Sequence, residues 1–403
     1  AYSVTDAHGF YRVELPVGDN VLCLSGYSME DLKLNLVLYD DGGLDVQMKE
    51  KVISLKGAVV TAENQSTHRD PKMGVEVIRL NTIKKVPAVF GEADVLKVVL
   101  TLPGVKTAGE ASTGYNVRGG AVDQNLILFN EGTIFYPSHM FGVLSAFNAD
   151  VINDVELYKS SIPAEYGGRI SSVLDIRGKE GTANKIAGSV GIGLLTSHLT
   201  LEGPIRKGKT TFILGGRTTY SDWMLRALPE ESDYSGGSAS FSDVNVGLTH
   251  KFNENNSIHA YGYWSRDKFS FDGDTTFHYS NLNASLKWRN SLSQRTTMTL
   301  AAGYDQYSSE VDDAFNVVSG YIVENDIDQL FAKWNFKTVL NDRHSLSYGA
   351  QAVYYMLNPG HMTPLSEHSL IVEKALPWMK GIEPALYASD TWKPDDKFSL
   401  DLG

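Results

Sequence analysis

The side chains that most often carry chemistry are scattered in this sequence rather than grouped. The ten histidines, at positions 8, 68, 139, 198, 250, 259, 278, 344, 361 and 368, form no pairs at metal-ligand spacing, so each is expected in a loop or a lumen. A single cysteine, Cys23, excludes an intramolecular disulfide framework and any multi-cysteine metal site. No glycine-rich phosphate loop sits in a βαβ context, no Gly-x-Ser-x-Gly elbow occurs, and no His-x-x-Glu pair is present to serve a zinc peptidase. The sequence therefore points away from an enzyme, and it calls for no metal and no cofactor.

Composition narrows the class further. The 403 residues carry 48 acidic against 36 basic side chains, a formal net charge of −12. Lys and Arg form no run, which disfavours a nucleic-acid partner because phosphate binding needs clustered positive charge. No stretch of 18 or more apolar residues is available for a transmembrane helix. Thirty-seven glycines and 20 tyrosines are unusual for a soluble enzyme and suggest a β-rich chain.

From about residue 184 the sequence alternates. Val244, Val246 and Leu248 interleave with Asn245, Gly247 and Thr249; Leu282, Ala284, Leu286 and Trp288 interleave with Asn283, Ser285 and Lys287. Leu330, Ala332, Trp334 and Phe336 repeat the pattern, so each segment has one apolar and one largely polar face. Short polar turns (206–209, 253–256, 290–294, 340–343 and 394–397) alternate with long connections (220–239, 267–280, 308–326 and 358–382). Sorting loop length by end is the habit of an outer-membrane barrel, and aromatic residues such as Trp264, Trp288, Trp334 and Trp392 suit its interfacial girdles. A soluble sandwich or propeller also alternates, but has no reason to sort its loops. About eleven strands fit between 186 and 403, half of the number in a 22-stranded plugged barrel, so strands outside this sequence are expected to close the sheet. Both chain ends read as cuts, the last in mid-strand at Phe398-Ser-Leu-Asp-Leu-Gly403.

Residues 76–183 follow a different grammar. Glu92–Leu102 reads as a helix with acidic residues in its first turn, Val95, Val99 and Leu102 on one face, and Pro103-Gly104 beyond its end. Short strands follow at 116–117, 126–129, 155–159 and 171–176. The run from Asp94-Val-Leu-Lys through Pro103-Gly104-Val105, Val117-Arg118-Gly119-Gly120, Leu126-Ile-Leu and Tyr166-Gly167-Gly168-Arg169 resembles the plug domain of TonB-dependent outer-membrane receptors. The likeness is dense over about 85 residues and extends through the barrel grammar. Two turns depart from the family's habit: Asn130-Glu131-Gly132 stands where an Asp-Gly turn is common, and Ser160-Ser161 where a glycine pair is common.

The resemblance implies a mainly β architecture in four parts: a partial carboxypeptidase-regulatory-like β-sandwich at 1–54, a TonB-box linker at 55–75, an α+β plug at 76–183 and the N-terminal half of a transmembrane β-barrel at 184–403. In such receptors the linker carries the TonB box, here Leu55, Lys56, Gly57, Ala58, Val59, Val60, Thr61 and Ala62, which pairs as an added strand with periplasmic TonB; a plain linker is the alternative. The resemblance also implies that the plug arginines Arg118 and Arg169 lock onto carboxylates of the wall, Glu202 being one candidate, because a buried guanidinium needs a partner; exposed turn arginines are the alternative. Phe135, Tyr136 and His139, beyond the 126–129 strand, are the candidates for a ligand face, or else they pack within the plug. The implied activity is TonB-driven uptake of a scarce nutrient (siderophore, haem, cobalamin, glycan or peptide) across the outer membrane of a Gram-negative cell. Its partners would be TonB, membrane lipid, the nutrient and a surface lipoprotein. A non-transporting barrel serving as scaffold, adhesin or lipoprotein dock stays open beside it.

Overall fold

A computed structural model describes residues 3–6, 10–25, 32–48, 74–85, 92–109, 114–221, 223, 237–270, 274–395 and 397–403. The chain divides into two compact units, Ala1–Val59 and Val60–Gly403. In the first, β1 (Gly18–Leu24) and β2 (Leu32–Leu38) form an antiparallel hairpin with Leu22 opposite Leu34. Its alternating residues leave one face half-buried and the other, with Val21, Cys23 and Val37, exposed. This hairpin is what is described of the sandwich expected over 1–54. The expected TonB box, Leu55–Ala62, lies outside the described residues.

The second unit begins with a plug. β3 (Val75–Arg79) leads through α1 (Leu80–Ile83) to α2 (Val95–Leu100), and β4 (Val105–Thr107) pairs with β5 (Tyr115–Val117). β6 (Asn125–Phe129), β7 (Gly132–Thr133), β8 (Ser138–His139), β9 (Leu144–Ser145), β10 (Ile152–Tyr158) and β11 (Ser172–Gly178) complete it. Five of these make one sheet in the order β3-β10-β11-β6-β7, with β11 and β6 parallel. The helix is shorter than the expected 92–102. Asp94 is its N-cap, accepting from Lys97 N at 3.0 Å and from Ser145 N at 2.7 Å, so Glu92 stands outside the first turn. The helix stops at Leu100 with Thr101 as its C-cap, and Gly104, in the turn beyond Pro103, takes φ +81°, a left-handed conformation that favours glycine. Val95, Val98, Val99, Phe129, Phe147, Ile152, Leu157 and Leu174 form the plug core.

The rest is one sheet of twelve strands: β12 (Ala187–Ile192), β13 (Thr196–Arg206), β14 (Thr210–Thr219), β15 (Ser238–Asn253), β16 (Asn256–Ser270), β17 (Thr275–Ser291), β18 (Thr296–Asp313), β19 (Tyr321–Asn341), β20 (His344–Pro364), the short β21 (Lys374–Ala375), β22 (Met379–Trp392) and β23 (Leu400–Leu402). Consecutive strands pair antiparallel, except that β21 pairs only with β20 and β22 follows β20 in the ladder. The eleven strands in line from β12 to β23 match the count read from the sequence. The long connections do not: β16 runs to Ser270 and β17 starts at Thr275, and 308–326 and 358–382 are likewise largely strand. Polar, aromatic residues there pair their backbones in extended hairpins although they lack the apolar alternation that marks the lower half.

The two faces of this sheet are inverted relative to a soluble protein. On β14–β19 the odd-numbered side chains point toward the plug, and most of those buried are polar: Arg217, Asp243, Asn245, Ser265, Asp267, Asn281, Asn283 and Asp305, with the hydrophobic Ile213, Phe241, Tyr263 and Phe331 interspersed. The even-numbered ones point away and are large and apolar, with Val246, Leu248, Trp264, Leu286, Trp288 and Trp334 exposed. A continuous apolar outer band around a polar interior is stable when the solvent outside is lipid. No described helix is long and apolar enough to cross a membrane.

Candidate functional site

The site is the seam where the plug meets the polar face of the wall. Successive wall strands each supply a side chain to a single stretch of plug, residues 131–148, so the wall curves around it. The deepest contact centres on Arg217 of β14. Its Nη1 donates to Glu92 Oε1 at 2.7 Å, its Nε to Asp243 Oδ2 at 2.7 Å, and its Nη2 to the Ser145 carbonyl at 2.9 Å. Arg217 Nη2 also lies 2.6 Å from Asp243 Oδ2, and the guanidinium rests 5.6 Å from the centre of the Phe241 ring. A guanidinium with fixed planar donors is the side chain suited to hold two carboxylates and a carbonyl at once.

His139, on β8 of the plug, extends the same network. It is fully enclosed, with Nδ1 at 2.8 Å from Asp267 Oδ2 and Nε2 at 3.2 Å from Asp243 Oδ2, and it stacks on Phe241 at 4.1 Å. Burial works to lower its pKa, but the two wall carboxylates together outweigh it and raise the imidazole above its ordinary value. With a carboxylate on each nitrogen both ring N–H groups donate, which is the charged form. Met140 N adds a bond to Asp267 Oδ1 at 3.2 Å.

A second contact lies at the plug tip. Asn130 and Glu131 take φ +47° and +79°, the successive positive values of a tight hairpin turn between β6 and β7. Non-glycine residues hold such angles only under tertiary restraint. Here Lys287 and Lys333 lie 3.4 and 3.6 Å from the Glu131 carboxylate, and Lys333 Nζ donates to the Glu131 carbonyl at 2.8 Å. Burial alone would raise the Glu131 carboxyl, but Lys333 and Lys287 together bring it down to about 2. Two residues on, Thr133 N and Gln329 Nε2 donate to Asp305 Oδ2 at 2.9 and 2.7 Å, while Asn283 Nδ2 donates to Asp305 Oδ1 at 2.5 Å. A Cβ at Gly132 would run into Asn283 and Asp305, so the approach of this turn to the wall requires glycine.

The residues expected from the sequence divide. Tyr136 is half-buried and stacks on Tyr279 of β17 at 4.7 Å, with Tyr307 of β18 at 5.9 Å, making an aromatic platform; Phe135 beside it is also half-buried. His139, placed with them as a ligand group, is instead sealed between two wall carboxylates and offers no surface. The arginines are the larger correction. Arg118 is exposed at φ +49°, and Arg169 is exposed with Nη1 donating to the Gly168 carbonyl at 2.7 Å; among the described residues neither forms an ion pair with a carboxylate. Glu202 faces a cavity of about 630 Å3 between plug and wall, shared with Lys179, Arg177 and Lys287, and does not meet Arg118. At the centre of the seam the arginine stands on the wall and the carboxylate, Glu92, on the plug. Glu92, Arg217, Asp243 and Asp267 were not legible as a group, because they come together only through strand register.

Residues 68–173 match the model of the TonB-dependent receptor plug domain. No curated protein matches the chain. Among solved structures, a variant of the ferric enterobactin receptor PfeA from Pseudomonas aeruginosa aligns with TM-score 0.61 at 15% identity over 82% of this chain and 56% of that one. The siderophore receptor PirA from Acinetobacter baumannii gives 0.61 at 17% over 81% and 55%, and the copper transporter OprC gives 0.60 at 13% over 79% and 51%. The chain thus shares the fold of these receptors and spans a little over half of their length.

Proposed function

Starting from a TonB-dependent receptor plug domain seated against a barrel wall, we propose that the protein carries a nutrient across the outer membrane by TonB-driven movement of the plug. The observation that supports this reading is the seam itself: a compact domain faces the wall and is held by a network of charge pairs and hydrogen bonds, beside an apolar contact in which Phe129 meets Tyr261 and Tyr263. Polar contacts of this kind exchange readily for water once strained, so the part of the seam that they hold can be displaced and reseated.

In this reading Leu55–Ala62 offers TonB a strand to pair with, and pulling there loads the chain that runs into the plug before Glu92. Tyr136, with Tyr279, Tyr307 and the neighbouring Phe135, forms part of the face that meets the nutrient; stacked phenols suit a large, flat or partly polar ligand. The solved receptors of this fold include ones for ferric enterobactin, other siderophores and copper, and the substrate class here is a scarce nutrient of that general kind. Cells carrying the whole receptor should show saturable uptake that collapses with a protonophore. Removing Leu55–Ala62 should abolish uptake and spare surface binding of the nutrient. Uptake that persists after the deletion would refute the assignment of the box.

A further inference from the structure

The outer face of the wall carries a cluster that neither the plug seam nor the transport reading uses. His278 on β17 lies directly opposite Glu310 on β18, and Asp312 is two residues along, so all three side chains share one face. That face is the outward one, because Leu282, Leu286 and Trp288 of the same strand have the same parity. His278 stands four residues past Leu282, roughly 13 Å along the strand at strand rise, above the apolar band.

His278 Nε2 lies 3.5 Å from Asp312 Oδ2 and 3.9 Å from Glu310 Oε1, and one ligand atom from each residue falls within 4.8 Å of the others. These gaps are too long for strong hydrogen bonds. They are close to the roughly 3.4 Å that separates neighbouring donors on a four-coordinate zinc-class ion with ligands at about 2.1 Å. A second observation agrees: His278 Nδ1 and Asp312 Oδ1 are both enclosed without a hydrogen-bond partner. An ion seated at Nε2 would engage the Asp312 carboxylate and so relieve Oδ1, while Nδ1, the ring nitrogen that does not face the carboxylates, takes no part in the site. Two other wall histidines are closed on a carboxylate by ordinary bonds, His361 Nε2 to Glu373 at 3.0 Å and His344 Nδ1 to Asp390 at 2.6 Å, while His198 and His259 each have one carboxylate, at 3.7 and 3.6 Å, and no second one beside it among the described residues.

We propose that His278, Glu310 and Asp312 bind a divalent transition-metal ion of the zinc class as a clamp between β17 and β18. One imidazole nitrogen and two carboxylate oxygens form a borderline donor set suited to such an ion, and a fourth position is left for water or an anionic group. Of the charged side chains on the adjoining strands, Lys268 stands opposite His278 and Glu324 opposite Glu310; the lysine keeps the site from being a purely acidic patch that would gather any cation. Since the cluster faces away from the lumen, its ion is not cargo. Histidine spacing along the sequence could not show it, because the carboxylates belong to a different strand.

The test uses the whole receptor in detergent, stripped by chelator, reloaded with Zn2+ and dialysed, with bound metal measured by mass spectrometry and Co2+ absorption recorded in parallel. One retained equivalent is expected, with the visible bands of low-coordinate Co2+. His278→Ala and Asp312→Asn should each lose it or bind at least tenfold more weakly, and His361→Ala should keep it; unchanged migration of the unheated barrel on a gel confirms that the variants fold. No retained equivalent in the unaltered receptor would overturn the proposal. So would equal retention in His278→Ala, or loss confined to His361→Ala.

Discussion

At the scale of the residue, Arg217 is the group whose removal should cost most. Arg217→Ala leaves Glu92 enclosed and unpaired and Asp243 with His139 as its remaining partner, and breaking a buried pair in this way typically costs about 3–5 kcal/mol. Urea denaturation followed by plug proteolysis should show that loss, and Arg217→Lys should recover little of it, because one ammonium cannot reach Glu92, Asp243 and the Ser145 carbonyl together. His139 adds a pH dependence whose direction follows from its raised pKa. Its stabilisation is complete below the ordinary histidine value of 6.5 and is lost as pH rises through the higher folded value. Glu131 acts at the opposite end: its contribution is present above 4.5 and fades as pH falls toward about 2. Thermal melts of the plug should therefore decline on the alkaline side, and His139→Gln should flatten that decline; an unchanged alkaline limb would rule out His139 as its source. The histidine and its aspartates could not be paired from the sequence, since the neighbouring strands β15 and β16 bring them to the plug only once register is known, whereas the turn glycines and the Pro103-Gly104 break just past the helix are local features and were legible.

At the scale of the element, the plug tip and the short helix are the sensitive pieces. Gly132→Val should drive a side chain into Asn283 and Asp305 and unseat the β6–β7 turn, at a cost of about 1–3 kcal/mol for overpacking. A faster protease cut near residues 130–133, with the barrel intact, is the expected result. Asp94→Ala should cost about 1–2 kcal/mol, since one carboxylate caps α2 and also holds Ser145 N; Asp94→Asn should recover part of it. The strands of the lower wall were legible because each has one apolar and one polar face. The upper hairpins were not, because 267–280, 308–326 and 358–382 alternate polar with polar and aromatic side chains, and nothing in that pattern distinguishes a ladder from a loop. The helix ends were misplaced for a related reason: an acidic residue before a helix can be a cap, a first-turn residue or, like Glu92, a partner of something far away.

At the scale of the whole molecule, the transport reading proposed above requires the seam between wall and plug to hold at rest and yield under load. Combining Arg217→Ala with His139→Ala should weaken both sides of Asp243 and, if the plug is the gate proposed above, make the barrel leaky at rest. Sensitivity of the cells to a large antibiotic that ordinarily cannot cross the outer membrane would report it, and unchanged resistance would mean that the tip contacts at Glu131 and Asp305 suffice. The mainly β architecture, the plug and the strand count were all legible in the sequence, since they rest on alternation and on an ordered series of turns. The lock was not, because it is a property of pairs. The upper hairpins have one more consequence. Their backbones stay in register from the short turns to the far tips, so the rim grows in steps of two. An insertion of one residue in each strand of a hairpin would turn every side chain beyond it inside out, while an insertion of two would lengthen the rim and leave its inner lining in phase. Such a wall can be made taller by evolution or by design without redrawing what faces the passage.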